Sequence, residues 1–183
     1  MSANMNEAEN WDPDSMIWNA KSLQRVAKEL ERKKSVSPQQ DSFLFWGISL
    51  ASPILLTLAT EIALKAWQCR ERKKKPEKIH DLLRLFEGLE SRTQERLEAR
   101  MRKLSPNSAW AEDPRMQNLD EDLRYIFRAS KHPLRNVLCS HRDAHTHWRF
   151  IHEDENGMFE TAEIDRALTV IIDAYVNRKE DIS

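Results

Sequence analysis

Apolar side chains recur along most of this chain every three or four residues, the spacing that places them on one face of a helix. The first such stretch runs from Asp14 to Lys34, with Ile17, Ala20, Leu23, Val26, Ala27 and Leu30 in register. Acids lie ahead of it (Asp12, Asp14) and bases end it (Arg32, Lys33, Lys34), which suits the helix dipole. The segment Ser35–Gln40 breaks the pattern. Phe43 to Thr60 then carries no charge at all. A bilayer needs about 20 mostly apolar residues, and this run is shorter and holds Gly47, Ser49, Ser52, Pro53, Thr57 and Thr60. Ser52-Pro53 reads as a helix start, since serine caps and proline suits the first turn. The expectation is a short piece from Phe43 to Leu50, then a buried helix from Pro53 to about Lys74. That helix turns Leu55, Leu56, Leu58, Ala59, Ile62, Ala63, Ala66 and Trp67 inward and pairs Glu61 with Lys65.

Pro76 follows a basic stretch and closes that helix. Further helices are expected from Glu77 to Leu89, from Thr93 to Leu104, from Leu119 to Ala129, from Pro133 to about His147 and from Thr161 to Tyr175. The last turns Ile164, Leu168, Ile171, Ile172 and Tyr175 inward. Ser105 to Pro114 reads as a loop, and Asp154–Gly157 as a turn between two short extended pieces. Residues 1–40 form an extension with an amphipathic helix, and residues 41–183 the main domain.

Composition strengthens the helical reading. Of 183 residues only three are glycine, too few for the tight turns of a sandwich, a barrel or a glycine-rich nucleotide-binding sheet. The fold class expected is all-α, an antiparallel helical bundle. Cys69 and Cys139 cannot build a disulfide scaffold and read as buried small side chains. The start resembles no secretory signal, so the expected setting is the cytoplasm, without a membrane. The 29 bases and 30 acids nearly cancel, which excludes coating nucleic acid by bulk charge. The cancellation is regional: Glu61–Lys103 holds 13 bases against 8 acids, and Phe150–Ser183 holds 3 against 9. A small basic cleft survives that balance.

Chemistry concentrates in one place. Four of the six histidines lie between Ser140 and His152. Three readings compete. His141 and His145, four apart, would share a helical face and hold a transition metal, but no third ligand stands at suitable spacing. The second reading is a solvated face with Asp143 paired locally. The third is a nucleolytic site. Arg142 would bind phosphate oxygens, and His147 would move a proton. RNA carries its own nucleophile, the 2′-hydroxyl, so such a site needs no metal and no cofactor. Five helical positions set Arg142 and His147 about 140° apart. Two copies meeting across a twofold axis would therefore gather both residue types in one cleft.

The run Arg142-Asp143-Ala144-His145-Thr146-His147 resembles the Arg-x4-6-His signature of HEPN domains. Leu58–Ala66 resembles the long second helix of that family, and Ile79–Phe86 its His-Asp-Leu stretch. The likeness spans roughly Ser52 to Tyr175. It implies a helical bundle that dimerises through the motif-bearing helices, and for many relatives a metal-independent endoribonuclease in toxin–antitoxin, phage-defence or RNA-processing systems. Carried over, Arg142 would polarise the scissile phosphate, His147 would act as general acid or base, and Asp143 would position its neighbours or the 2′-hydroxyl. Arg149, His145 and Trp148 flank them as candidate RNA contacts; Trp148 suits stacking on a base and equally a core or dimer interface. One subgroup carries a tyrosine two residues after the histidine, which a partner nucleotidyltransferase modifies; Arg149 stands there instead. The partners implied are RNA, a second copy of the chain, and an antitoxin or regulatory protein.

Two other function classes stay open. One is a non-catalytic HEPN-like binding or regulatory module, since other HEPN domains have no demonstrated nuclease activity. The other is a membrane-associated helical protein, motivated by Phe43–Thr60. His80 and Asp81 read as structural, a hydrogen-bonded histidine and a first-turn acid.

Overall fold

Antiparallel pairing of two long helices frames the molecule. The computed structural model describes residues 12–36, 42–104, 132–142 and 161–177. Six helices are found among them, and no strand: α1 (Pro13–Val36), α2 (Ser42–Arg72), α3 (Leu82–Glu87), α4 (Ser91–Leu104), α5 (Pro133–Ser140) and α6 (Thr161–Val176). The protein is an all-helical bundle. Along the α1–α2 hairpin, Lys34 lies over the Phe45 ring, the Ser52 hydroxyl donates to the Ala27 carbonyl, and Arg70 pairs with Asp14. α6 packs against α1, α2, α4 and α5. One continuous core results, with Ile17, Ala20 and Ala27 of α1 joined to Leu64, Leu85, Leu97, Leu138, Leu168 and Ile171. Full burial of each large aliphatic side chain contributes about 1.5–3 kcal/mol.

α1 forms where its periodicity predicts, with Asp12 accepting from the Asp14 amide and the Ser15 hydroxyl at its start. Val26, read as inward, is exposed: nine residues on from Ile17, it lies half a turn from the buried face. α2 corrects a larger expectation. Ser52-Pro53 does not start a helix; a single helix runs through it from Ser42 to Arg72 with Pro53 inside. Proline removes one internal hydrogen bond, but here Ser52 is fully buried against α1, and that packing carries the helix across. Leu58 points outward rather than inward, with Trp46 and Ile54 also exposed on this helix. By length and composition Phe45–Arg72 is apolar enough to cross a membrane, while 56% of its most apolar window is buried within the molecule.

α3 is shorter than expected. Asp81 is extended and its carboxylate accepts from the Arg84 amide, so the helix begins at Leu82 rather than Glu77. α5 also ends early. The helix expected to reach about His147 stops at Ser140, because the Val137 carbonyl takes both the His141 amide and the His141 ring, and the Arg142 amide tightens onto Cys139. The expected helix at 119–129, the loop at 105–114 and the extended pieces near Phe150 and Phe159 lie outside the described residues.

Candidate functional site

The three segments that carry the sequence resemblance are 58–66, 79–86 and 142–147. Their described residues are linked by two side-chain bridges.

The first bridge joins α2 to the segment before α3. Glu61 is buried on α2, where one turn of helix brings Lys65 to 2.6 Å from its carboxylate. The same oxygen, Oε1, lies 3.0 Å from Nδ1 of His80. A carboxylate at neutral pH only accepts, so Nδ1 carries the proton and the tautomer of His80 is set by Glu61. The Glu61 side chain is 10% exposed and that of His80 55%. A buried anion therefore holds an outward-facing imidazole.

The second bridge joins the next residue to the end of α5. Asp81 uses Oδ1 to cap α3 and Oδ2 to accept from Nη2 of Arg142 at 2.7 Å. Burial pushes the Asp81 carboxyl up, but the Arg84 amide and then the Arg142 guanidinium outweigh it, and the group ends below its ordinary value. Arg142 sits in the turn past α5, at the carbonyl end of the helix, where the dipole favours a cation. Its side chain is 46% exposed and that of Asp81 15%. The arginine is thus held by Asp81 while nearly half of its side chain stays exposed.

α5 itself is aimed by a residue the sequence did not flag. Glu98 of α4 is 4% exposed, and its two carboxylate oxygens accept from the amides of Leu134 and Arg135 at 3.0 and 2.9 Å. It supplies the N-terminal capping that His132 does not, and Arg135 adds a pair to Glu87 of α3. The end of α3 is drawn close to α2 at Gly88. A Cβ there would lie 2.7 Å from Nε2 of the buried Gln68 and 3.0 Å from Arg72, whose guanidinium donates to the Gly88 carbonyl.

The sequence-derived candidates divide accordingly. Arg142 is placed, beside Asp81. Asp143, His145, His147, Trp148 and Arg149 lie outside the described residues. His141, weighed as a metal ligand, is buried, and its Nδ1–H donates to the Val137 carbonyl at 2.7 Å, the geometry of a satisfied core histidine. No group of three potential metal ligands stands together among the described residues. Cys69 is buried and burial pushes its thiol up, as expected of a small core side chain. Cys139, expected to match it, is exposed, because it falls on the outer side of α5 between the inward Leu138 and His141. The tie between Glu61 and His80 was missed, although both residues lie in segments singled out by resemblance.

What the described arrangement can do follows from its parts. A half-exposed guanidinium can bind phosphate oxygens, and a half-exposed imidazole of fixed tautomer can take part in proton transfer. Comparison with known proteins adds no relative: no family model, no curated protein and no solved structure matches the chain.

Proposed function

We propose that the protein is a metal-independent endoribonuclease of the HEPN kind, acting as a homodimer whose copies share one cleft, in a toxin or phage-defence setting. The convergence of three separately recognised segments carries this reading: Glu61 of the first meets His80 of the second, and Asp81 of the second meets Arg142 of the third. Segments that resembled a family only by chance would not have to meet. Arg142 binds the scissile phosphate and His147 takes part in proton transfer, with Asp143 as a positioning group and His145, Trp148 and Arg149 as RNA contacts. An antitoxin or regulatory protein is the further partner this reading implies.

The test is expression in cells of the wild type and of the Arg142→Ala/His147→Ala double variant, followed by growth curves and RNA gels. The wild type degrades RNA and slows growth, and the double variant does neither. Equal RNA integrity in the two would overturn the reading. A non-catalytic binding module is the alternative, and the engagement of Arg142 by Asp81 as an ion pair favours it. Tight RNA or protein binding without cleavage, unchanged by His147→Ala, would establish it.

A further inference from the structure

Cleavage of RNA by its own 2′-hydroxyl needs two proton movements. One group removes the hydroxyl proton as the P–O2′ bond forms. Another protonates O5′ as the P–O5′ bond breaks, leaving a 2′,3′-cyclic phosphate and a 5′-hydroxyl. Within one chain the Arg142–His147 motif supplies a single histidine for these two tasks. We propose that His80 is the second, the base that accepts the 2′-hydroxyl proton at Nε2, with Glu61 as its positioning residue. This inference rests on the ribonuclease reading above.

Three observations carry it. First, Glu61 fixes Nδ1 as the protonated nitrogen, so Nε2 is the basic atom of the neutral ring; a carboxylate behind an imidazole orients it and stabilises the imidazolium formed on proton uptake. Second, the burial is arranged for work at the outer end: the Glu61 side chain is 10% exposed, His80 55%. Lys65 already pairs with Glu61 at 2.6 Å, so His80 is not needed to balance that carboxylate. Third, His80 is covalently next to Asp81, and Asp81 holds Arg142. Adjacent Cα atoms lie about 3.8 Å apart, so His80 and the Asp81 that holds Arg142 occupy neighbouring positions of one segment. Charged groups about His80 among the described residues include Glu61 and Lys65 from α2, Asp81 from its own segment, and Arg142 held by Asp81.

The experiment uses the purified full chain and a fluorescent single-stranded RNA of mixed sequence, with rates measured from pH 5 to 9 for wild type, His80→Ala, His80→Gln, Glu61→Gln and Arg142→Ala. Thermal melts accompany each variant. A general base contributes typically 10²–10⁴-fold, so both His80 variants lose about that much of kcat, with KM little moved and the acidic limb of the pH profile abolished. Added imidazole restores part of the rate to His80→Ala. Glu61→Gln slows cleavage, because the imidazole loses the carboxylate that orients it. A role confined to structure would lower the melting temperature and leave the limb in place without imidazole rescue. If Arg142→Ala silences cleavage while both His80 variants keep the wild-type rate and profile, the role of His80 is refuted and the ribonuclease reading stands. If the wild type cleaves no RNA, both fall.

Discussion

Asp81 shows how much a single side chain can be asked to do. It caps α3 with one oxygen and holds Arg142 with the other. Removing it should cost about 1 kcal/mol for the cap and about 0.2–1 kcal/mol for a half-exposed ion pair. Asp81→Ala is therefore expected to lower denaturant stability by roughly 1–2 kcal/mol, by these two terms together. The sign with pH follows from its depressed value. A carboxyl that binds its proton more weakly folded than unfolded contributes fully above the unfolded value, near about 3.9, and the contribution is lost as pH falls through the folded value. Urea titrations of wild type and Asp81→Ala should thus differ at pH 7 and converge in acid. An offset that persists unchanged to pH 2 would show that the carboxylate charge is not what stabilises the turn.

At the scale of the element, the helix that delivers Arg142 depends on a partner from elsewhere. α5 has eight residues, too short to persist by propensity alone. Its apolar face buries Leu134, Val137 and Leu138, and Glu98 of α4 receives two of its first amides. Hydrogen bonds to a charged group contribute about 1.5–3 kcal/mol each, so Glu98→Ala, which removes two of them, should destabilise by roughly 3–6 kcal/mol. Glu98→Gln keeps one acceptor and should lose about half of that. Hydrogen exchange should localise the loss to α5, with faster exchange at the Leu134 and Arg135 amides; protection unchanged there would refute the capping role. The elements themselves were largely legible. α1, α4 and α6 fall close to where their periodicity places them, because each has one apolar face and one charged face. α2 was misread at Ser52-Pro53 and at Leu58 because Phe43–Thr60 holds no charge to mark an outer face, so local helix signals outweighed a tertiary contact to Ala27 that no sequence window contains. The site was legible by halves for the same reason. Arg142 stood out in a dense local motif, whereas Glu61, His80 and Glu98 gain their meaning from partners 19 to 37 residues away.

Across the whole molecule, one junction ties α1 and α6 to α2. Tyr175 of α6 donates its phenol to Asp14 of α1 at 2.8 Å, while Arg70 of α2 stacks on its ring at 3.6 Å and also reaches Asp14. Trp67 closes the cluster edge-on and donates to the Ile171 carbonyl. Gln24 and Lys28 of α1 repeat the connection about three to four turns further along that helix, through Asp165 and Thr169. Burial pushes the Tyr175 phenol well above its ordinary value, and the hydrogen bond and negative charge of Asp14 push it the same way. A group that holds its proton more tightly folded than unfolded contributes stability that is complete below the unfolded value, near about 10, and that is lost as pH rises beyond it. The bundle should therefore lose melting temperature progressively above about pH 10, where the unfolded chain ionises its tyrosine and the folded one resists. Tyr175→Phe separates this effect from general alkaline damage. It removes the phenol bond, a loss of about 1 kcal/mol at pH 7, but keeps the ring under Arg70 and beside Trp67, and it should melt with a shallower alkaline decline than wild type. Calorimetry of the two proteins from pH 7 to 11 measures both quantities. Parallel alkaline declines would place the sensitivity elsewhere in the bundle and leave Tyr175 as a packing residue only.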